Sequence, residues 1–419
     1  MMVDLARLAG PPHRALSTAG RRTREVLDAR RWGDLLLSVP RAAAFYARSW
    51  QHLAVGHPDG PLPVRPTLGV LRGALVDELA TSVFRTVTMP PPAPVLHRRL
   101  AEASLALELF ERRGWLDDPV RYHRSPPPPS DVRSEPESVH GIAYEHVTFD
   151  SGYAPFPAEP GRDRWLAYEA NRTAHAWVLR HGEPRPWLVC VHGAVMGSPT
   201  VDVAVFRAGW LHRRLGLNVA MVVQPLHGPR RSGSWHTIGY PTEDPLDSVH
   251  AAAQSVWDVR RTIAWIRSRH DEPVGLWGLS LGGFAVSLVA GVEDDLACVI
   301  AGIPVVELAE LLGYHLPTRM TRRREYEKLA GLSLCLHRVV SPLALEPRLP
   351  LDRRFIFAGI ADRLVHPYRQ VHELWDHWGQ PSIEWYQGGH MGFFRSPPVG
   401  QFVHRALVAS GLVPAEELP

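Results

Sequence analysis

Apolar positions along the chain follow two different periods, and the change of period falls at a run of prolines. Before that run, Leu68, Leu71, Leu75 and Leu79 repeat after Pro66 and Thr67, and Leu96, Leu100, Ala103, Leu107 and Phe110 repeat after Pro94. Repeats of three to four residues mark one face of an α-helix, so both stretches predict helices. Gly114 stands where a helix C-terminal glycine belongs, and Pro90 to Pro92 separates the two. An apolar pattern carrying Phe45, Tyr46 and Trp50 covers 35–54. After the prolines, short continuous apolar runs appear at 146–149, 176–179, 187–191, 218–224, 274–277, 297–302, 355–359 and 383–386. Each has the length of a buried strand. Helical patterns lie between them at 203–215, 247–267, 284–290, 368–378 and, after the last, 402–410. Strand alternating with helix predicts an α/β fold whose mostly parallel sheet is covered on both faces.

The proline run itself, Ser125 followed by Pro126 to Pro129, reads as a stiff extended linker, continued by the polar residues 131–138. The expected organisation is an N-terminal helical region with its Pro-rich linker over 1–135 and an α/β domain over 136–419. No catalytic constellation is read before the linker. The Arg-rich start, with Arg21, Arg22, Arg24, Arg30 and Arg31, is compatible with a peripheral membrane contact. Asp4, Glu25 and Asp28 interrupt the charge and favour a solvated helix instead.

Composition excludes more than it selects. With 46 basic residues against 43 acidic ones the net charge is +3, so there is no nucleic-acid footprint. Hydrophobic residues at 45% and charged ones at 21% describe a globular protein. No apolar stretch reaches the roughly 20 residues of a bilayer span, and no signal pattern opens the chain, so a cytoplasmic location is the default expectation. Cys190, Cys298 and Cys335 each sit in an apolar run and read as small buried hydrophobes.

Chemistry enters at the carboxyl ends of the predicted strands, where ligands gather in such sheets. Gly278, Leu279, Ser280, Leu281 and Gly282 form a Gly-x-Ser-x-Gly sequence between a strand and a helix. Small residues on either side allow the turn to tighten until the serine hydroxyl stands clear of the sheet. The same turn aims the Leu281 N–H from the start of a helix, where unpaired donors can hold an oxyanion. After the 187–191 strand come His192, Gly193 and Ala194, whose turn can present the Ala194 N–H as a second donor. Asp362 follows the 355–359 strand and can orient a histidine. His390 follows the 383–386 strand within Gly388, Gly389 and Gly392, where an imidazole can approach the serine unobstructed. Serine is too weak an acid to attack a carbonyl unaided, so a neighbouring imidazole must take its proton and a carboxylate must fix the tautomer. Ser280, Asp362 and His390 occur in that chain order at successive strand ends.

These residues resemble the α/β-hydrolase superfamily in its serine esterase and peptidase branches, over about 140–419. The Pro225, Gly228, Arg230 turn is similar to one seen in those branches. The resemblance implies the α/β-hydrolase fold, with the N-terminal helices as an extension and the residues 304–350 as a lid. That insertion carries Val305, Val306, Leu308, Leu311 and Leu312 on one apolar face and Leu332, Leu334, Leu336, Val339 and Val340 on another. Arg322, Arg323, Arg324, Glu325, Glu327 and Lys328 lie between them and read as a solvated mixed-charge face. The expected activity is a serine hydrolase, carboxylesterase-like, acting on a small-molecule ester or thioester. A peptidase or amidase on the same fold is the alternative, and a non-catalytic binding protein is disfavoured because the triad positions and the oxyanion turn occur together. No metal is expected: His372 and His377 are five residues apart, about 140° around a helix, and do not share a face. Gly-x-Gly-x-x-Gly and P-loop patterns are missing as well, so no cofactor is expected.

Overall fold

A computed structural model describes residues 18–55, 64–87, 91–232, 239–315 and 324–415. The first half of the Arg-rich start, Pro90, Arg322 and Arg323 lie outside the described residues, as do the side chains of Arg21 to Arg31. The chain opens with three helices, α1 (Thr18–Val55), α2 (Leu68–Val87) and α3 (Ala93–Arg113). Thr67 caps α2 by accepting the Val70 N–H at 3.2 Å on its hydroxyl. Gly114 ends α3 at φ 67°, and Trp115 N–H closes back onto the Phe110 carbonyl at 2.9 Å. The buried face of α3 is the one the apolar spacing predicts, with Leu96, Ala103 and Phe110 inside. In α2 the face is different. Leu68 and Leu79 are exposed, and Val70, Ala74, Asp77 and Thr81 point inward.

A nine-stranded sheet follows: β1 (Arg133–Val139), β2 (Ile142–Asp150), β3 (Thr173–Leu179), β4 (Trp187–Val191), β5 (Asn218–Val222), β6 (Val274–Leu279), β7 (Val299–Gly302), β8 (Arg354–Gly359) and β9 (Ser382–Tyr386). Their order is β1-β2-β3-β5-β4-β6-β7-β8-β9. From β5 to β9 all neighbours are parallel, and the first three strands join them antiparallel. The helices of this part are α4 (Arg162–Leu166), α5 (Pro199–Val205), α6 (Ala208–Arg213), α7 (Pro245–Arg267), α8 (Leu281–Ala290), α9 (Leu308–His315), α10 (Arg324–His337), α11 (His372–His377) and α12 (Pro397–Ala409). Alternate residues of the buried strands feed two cores. Val189, Val191 and Leu276 pack with α3, α7, α8 and α10 on one face, and Leu188, Cys190 and Trp277 pack with α6 and α12 on the other.

Three expectations change here. The polar residues 133–138 are not linker but most of β1, a solvent-facing edge strand paired along its whole length with β2. The helix read at 203–215 is broken at Arg207, which takes φ 51° between α5 and α6. Cys335 is exposed on α10, unlike the other two cysteines. The proline run lies along α7, held there by Arg260, which donates to Ser125 Oγ at 3.0 Å, and by Arg261, which donates to the Pro128 carbonyl at 3.4 Å. Of the insertion at 304–350, α10 packs against α3 and α7 while α9 meets α2. Among the described residues no helix is long and apolar enough to cross a membrane.

Candidate active site

The chain leaves β4 to one side for β5 and returns on the other side for β6, so the carboxyl ends of β4 and β6 flank a crevice. Ser280 sits at the end of β6, between its last residue and the first of α8, with φ 55° and ψ −112°. Such a conformation is costly for a residue with a side chain and needs support from its surroundings. The support is visible. Ser280 N–H donates to the Gly302 carbonyl at 2.8 Å, and its carbonyl accepts from Phe284 N–H at 3.0 Å and Val305 N–H at 3.2 Å. A methyl group on Gly278 would strike the Gly282 carbonyl, and one on Gly282 would strike the Val191 carbonyl. Only glycine fits at both places.

The turn after β4 crosses this elbow. A methyl on Gly193 would lie 3.4 Å from Ser280 Cβ. His192 fixes the turn from below: its Nε2 accepts Gln224 N–H at 3.0 Å, which leaves Nδ1 to donate to the Gly193 carbonyl at 2.7 Å. Burial pushes the His192 imidazole down to about 4, so it is neutral and serves as a brace. The Ala194 and Leu281 N–H groups bond to no acceptor among the described residues.

Asp362 leaves the end of β8 in a tight turn, its Oδ1 accepting Leu364 N–H at 2.9 Å and Val365 N–H at 2.8 Å. Its Oδ2 faces His390 Nδ1 at 2.6 Å, and His390 Nε2 faces Ser280 Oγ at 3.0 Å. The three side chains read from the strand ends are thus brought into one hydrogen-bonded line. Burial disfavours the imidazolium of His390, but the Asp362 carboxylate, its hydrogen bond and the carboxylate of Asp77 outweigh it and hold the imidazole above its ordinary value. Arg363 pairs with Glu78 at 3.0 Å, so the carboxylate of Asp362 is left to His390. His372 and His377 turn to different partners, Asp376 at 3.1 Å and the Leu345 carbonyl at 3.0 Å. Among the described residues no three His, Cys, Asp or Glu side chains converge as a metal site.

Asp77 is the residue that sequence reasoning missed. It comes from α2, is fully buried, and accepts the backbone N–H of His390 at 2.7 Å. The one signal available in the sequence is an acidic residue in step with Val70 and Ala74 on an otherwise apolar face.

No family model matches the chain. Two proteins of Mycobacterium tuberculosis, the uncharacterized protein MT2702 of strain CDC 1551 / Oshkosh and the uncharacterized protein Rv2627c of strain ATCC 25618 / H37Rv, are each 47% identical to it over 374 residues, 88% of this chain and 90% of theirs. The chain belongs to their family. Among solved structures, it is similar to the acetyl xylan esterase from Paenibacillus sp. R4, at 16% identity and a TM-score of 0.49 over 70% of this chain and 93% of that one. With its parallel strands, crossover helices and an elbow after β6, the chain has the α/β-hydrolase fold.

Proposed function

We propose that this protein is a serine hydrolase that cleaves a carboxylic ester or thioester through an acyl-enzyme. The observation that carries the reading is the line from Ser280 Oγ through His390 to Asp362, at 3.0 and 2.6 Å, with the serine held at positive φ. In this reading Ser280 Oγ attacks the carbonyl carbon while its proton passes to His390 Nε2. Asp362 stabilises the imidazolium. The negative oxygen of the tetrahedral intermediate is met by the Ala194 and Leu281 N–H groups. Collapse expels the alcohol or thiol, which takes its proton from His390, and leaves the acyl group on Ser280. Water, deprotonated by the same imidazole, then releases the acid and restores the serine. A fluorophosphonate probe followed by a panel of p-nitrophenyl esters and aminoacyl nitroanilides tests the reading. Labelling with ester turnover supports it, turnover of the nitroanilides alone turns it into an amidase, and no labelling ends it.

The acid limb of kcat/KM follows from the same geometry. His390 must be neutral to accept the proton, and its pKa is raised, so activity is lost as pH falls through a value above the ordinary one of about 6.5. A profile whose acid midpoint lies clearly below 6.5, as roughly expected of an unassisted buried histidine, would contradict this assignment.

Substrate size is the next expectation. Val195, next to Ala194 in the chain, and Met391, next to His390, are exposed apolar residues, and Val305, Val306 and Leu308 are buried at the start of the 304–350 insertion, where Val305 N–H donates to the Ser280 carbonyl at 3.2 Å. With the insertion acting as a lid, an apolar acyl group gains about 0.8 kcal/mol per buried methylene, a few-fold in kcat/KM, until the space is filled. Medium-chain p-nitrophenyl esters are therefore expected to be better substrates than the acetate. An acetate preference in a chain-length series removes the lid from this account and points to a small polar ester.

A further inference from the structure

The buried face of α2 carries a carboxylate where an apolar residue would pack at no electrostatic cost, and among the described residues every hydrogen-bond partner of that carboxylate is a backbone N–H of the two loops that hold the imidazole and its acid. Asp77 Oδ2 accepts His390 N–H at 2.7 Å and Arg363 N–H at 3.0 Å, and Oδ1 accepts Met391 N–H at 3.3 Å. Arg363 directly follows Asp362. One side chain therefore clamps the chain at the triad acid to the chain at the triad histidine. The approach is close enough to require glycine on both sides. A methyl on Gly73 would lie 2.9 Å from Gly389 N, and one on Gly389 would lie 2.5 Å from Asp77 Oδ2. Neighbouring contacts hold the helix in place: Glu78 pairs with the Arg363 guanidinium at 3.0 Å, that guanidinium stands 5.1 Å over the Phe45 ring of α1, and the Arg65 N–H donates to Gln387 Oε1 at 2.9 Å.

We infer that Asp77 is a positioning residue of the active site: it fixes the His390 loop against the Asp362 loop and sets a second carboxyl group beside the imidazole, so that α2 acts on the site through the loops it holds. The inference rests on the serine hydrolase reading for its kinetic consequences, while the clamp itself is a property of the unreacted protein. A wholly structural acceptor would need no charge. Burial and the Asp362 carboxylate push the Asp77 carboxyl up to about 7, against the pull of His390 and of the N–H groups, so the protein carries an expensive group at this place. The other ionisable groups around the pair are Asp362, Arg363 and His366 from the loop after β8, Glu78 and Arg85 from α2, Tyr386 at the end of β9 and His315 from α9.

Full-length Asp77→Asn and Asp77→Ala proteins separate charge from hydrogen bonding. Asparagine can keep its amide oxygen toward His390 N–H and Arg363 N–H but carries no charge. Its kcat is expected to stay within about threefold of the parent, while the acid limb of kcat/KM moves to lower pH by about half a unit or more, because a negative neighbour of the imidazole has gone. Alanine removes all the acceptors. Its kcat is expected to fall about 10-fold to 100-fold with KM changed less than about twofold, as for a displaced base. The downfield proton resonance of His390 Nδ1–H, identified by its loss in His390→Gln, is expected to persist in the asparagine protein and to vanish in the alanine one. An Asp77→Asn profile superimposable on the parent overturns the inference, and so does an Asp77→Ala protein with parental kcat and resonance. If alanine prevents folding, the asparagine profile decides alone. If the parent hydrolyses nothing, the hydrolase reading fails, and the pH at which the resonance shifts in parent and Asp77→Asn still decides the role of Asp77.

Discussion

Ser280→Ala is expected to remove ester turnover by roughly 10^4-fold to 10^6-fold while leaving the fold and its melting temperature essentially unchanged. The size of the loss follows from the chemistry, since the hydroxyl is the only atom in the line that can form the acyl bond and nothing else in the site replaces it. The small structural effect follows from the packing. Among the described residues the serine hydroxyl has a single partner, His390 Nε2 at 3.0 Å, and the backbone bonds that hold the elbow at positive φ involve no side-chain atom. Alanine tolerates that φ no better and no worse than serine. His390→Ala is expected to cost about as much as Ser280→Ala, and the double variant no more than either, because members of a relay act as a unit. Asp362→Asn is expected to be severe, about 10^4-fold, since the amide can present an N–H to Nδ1 and favour the wrong tautomer. Mass spectrometry of fluorophosphonate-treated protein should place the adduct on the Ser280 peptide. An adduct elsewhere, with Ser280→Ala still turning over ester, would sink both the nucleophile and the relay.

The local parts of this site were legible in the sequence because each is written in turn chemistry at one point of the chain. Gly278 and Gly282 bracket Ser280, Asp362 leaves a buried strand, and glycines surround His390. The strand-to-helix alternation supplied the order of the ends. What lay hidden depends on distance or on missing contrast. The partners of Asp77 are about 290 to 310 residues away in the chain, and no local period can announce them. The leucines of α2 are at helical spacing, yet the helix turns Val70, Gly73 and Ala74 inward, because close approach to the Gly389 backbone selects small residues over large ones. β1 has no alternation to read. It is an edge strand with almost every side chain in solvent, and charged residues together with a proline are what such an edge carries. The break at Arg207 falls on a residue that is neither glycine nor proline, and Gly209 two residues later lies inside the second helix.

Arg230→Met is expected to destabilise the protein by about 3 to 5 kcal/mol, because it strands a buried charge. Arg230 is fully buried at the end of the turn after β5 and lies 2.8 Å from Asp258 of α7. It also donates to the Val223 and Asn171 carbonyls, each at 2.9 Å, and Asp258 in turn accepts from Ser151 Oγ at 2.6 Å. The group thus joins the end of β5, the segment before β3 and α7. Burial raises the Asp258 pKa and Arg230 opposes that rise. Without the arginine the folded-state pKa climbs further above the unfolded one. Over the window between the two values the folded protein then holds more protons than the unfolded chain, so its stability falls as pH rises. The variant should therefore be closest to the parent in acid and furthest from it at neutral pH. Arg230→Met combined with Asp258→Asn removes both charges and keeps an acceptor for Ser151, and it is expected to recover part of the loss, giving a favourable coupling in the double-mutant cycle. Urea unfolding of the three variants at acid and neutral pH measures this directly. A single variant within about 1 kcal/mol of the parent at neutral pH, or a double variant as unstable as the sum of the singles, would mean that Asp258 is not held as a charge and that the turn is supported by its carbonyl contacts alone.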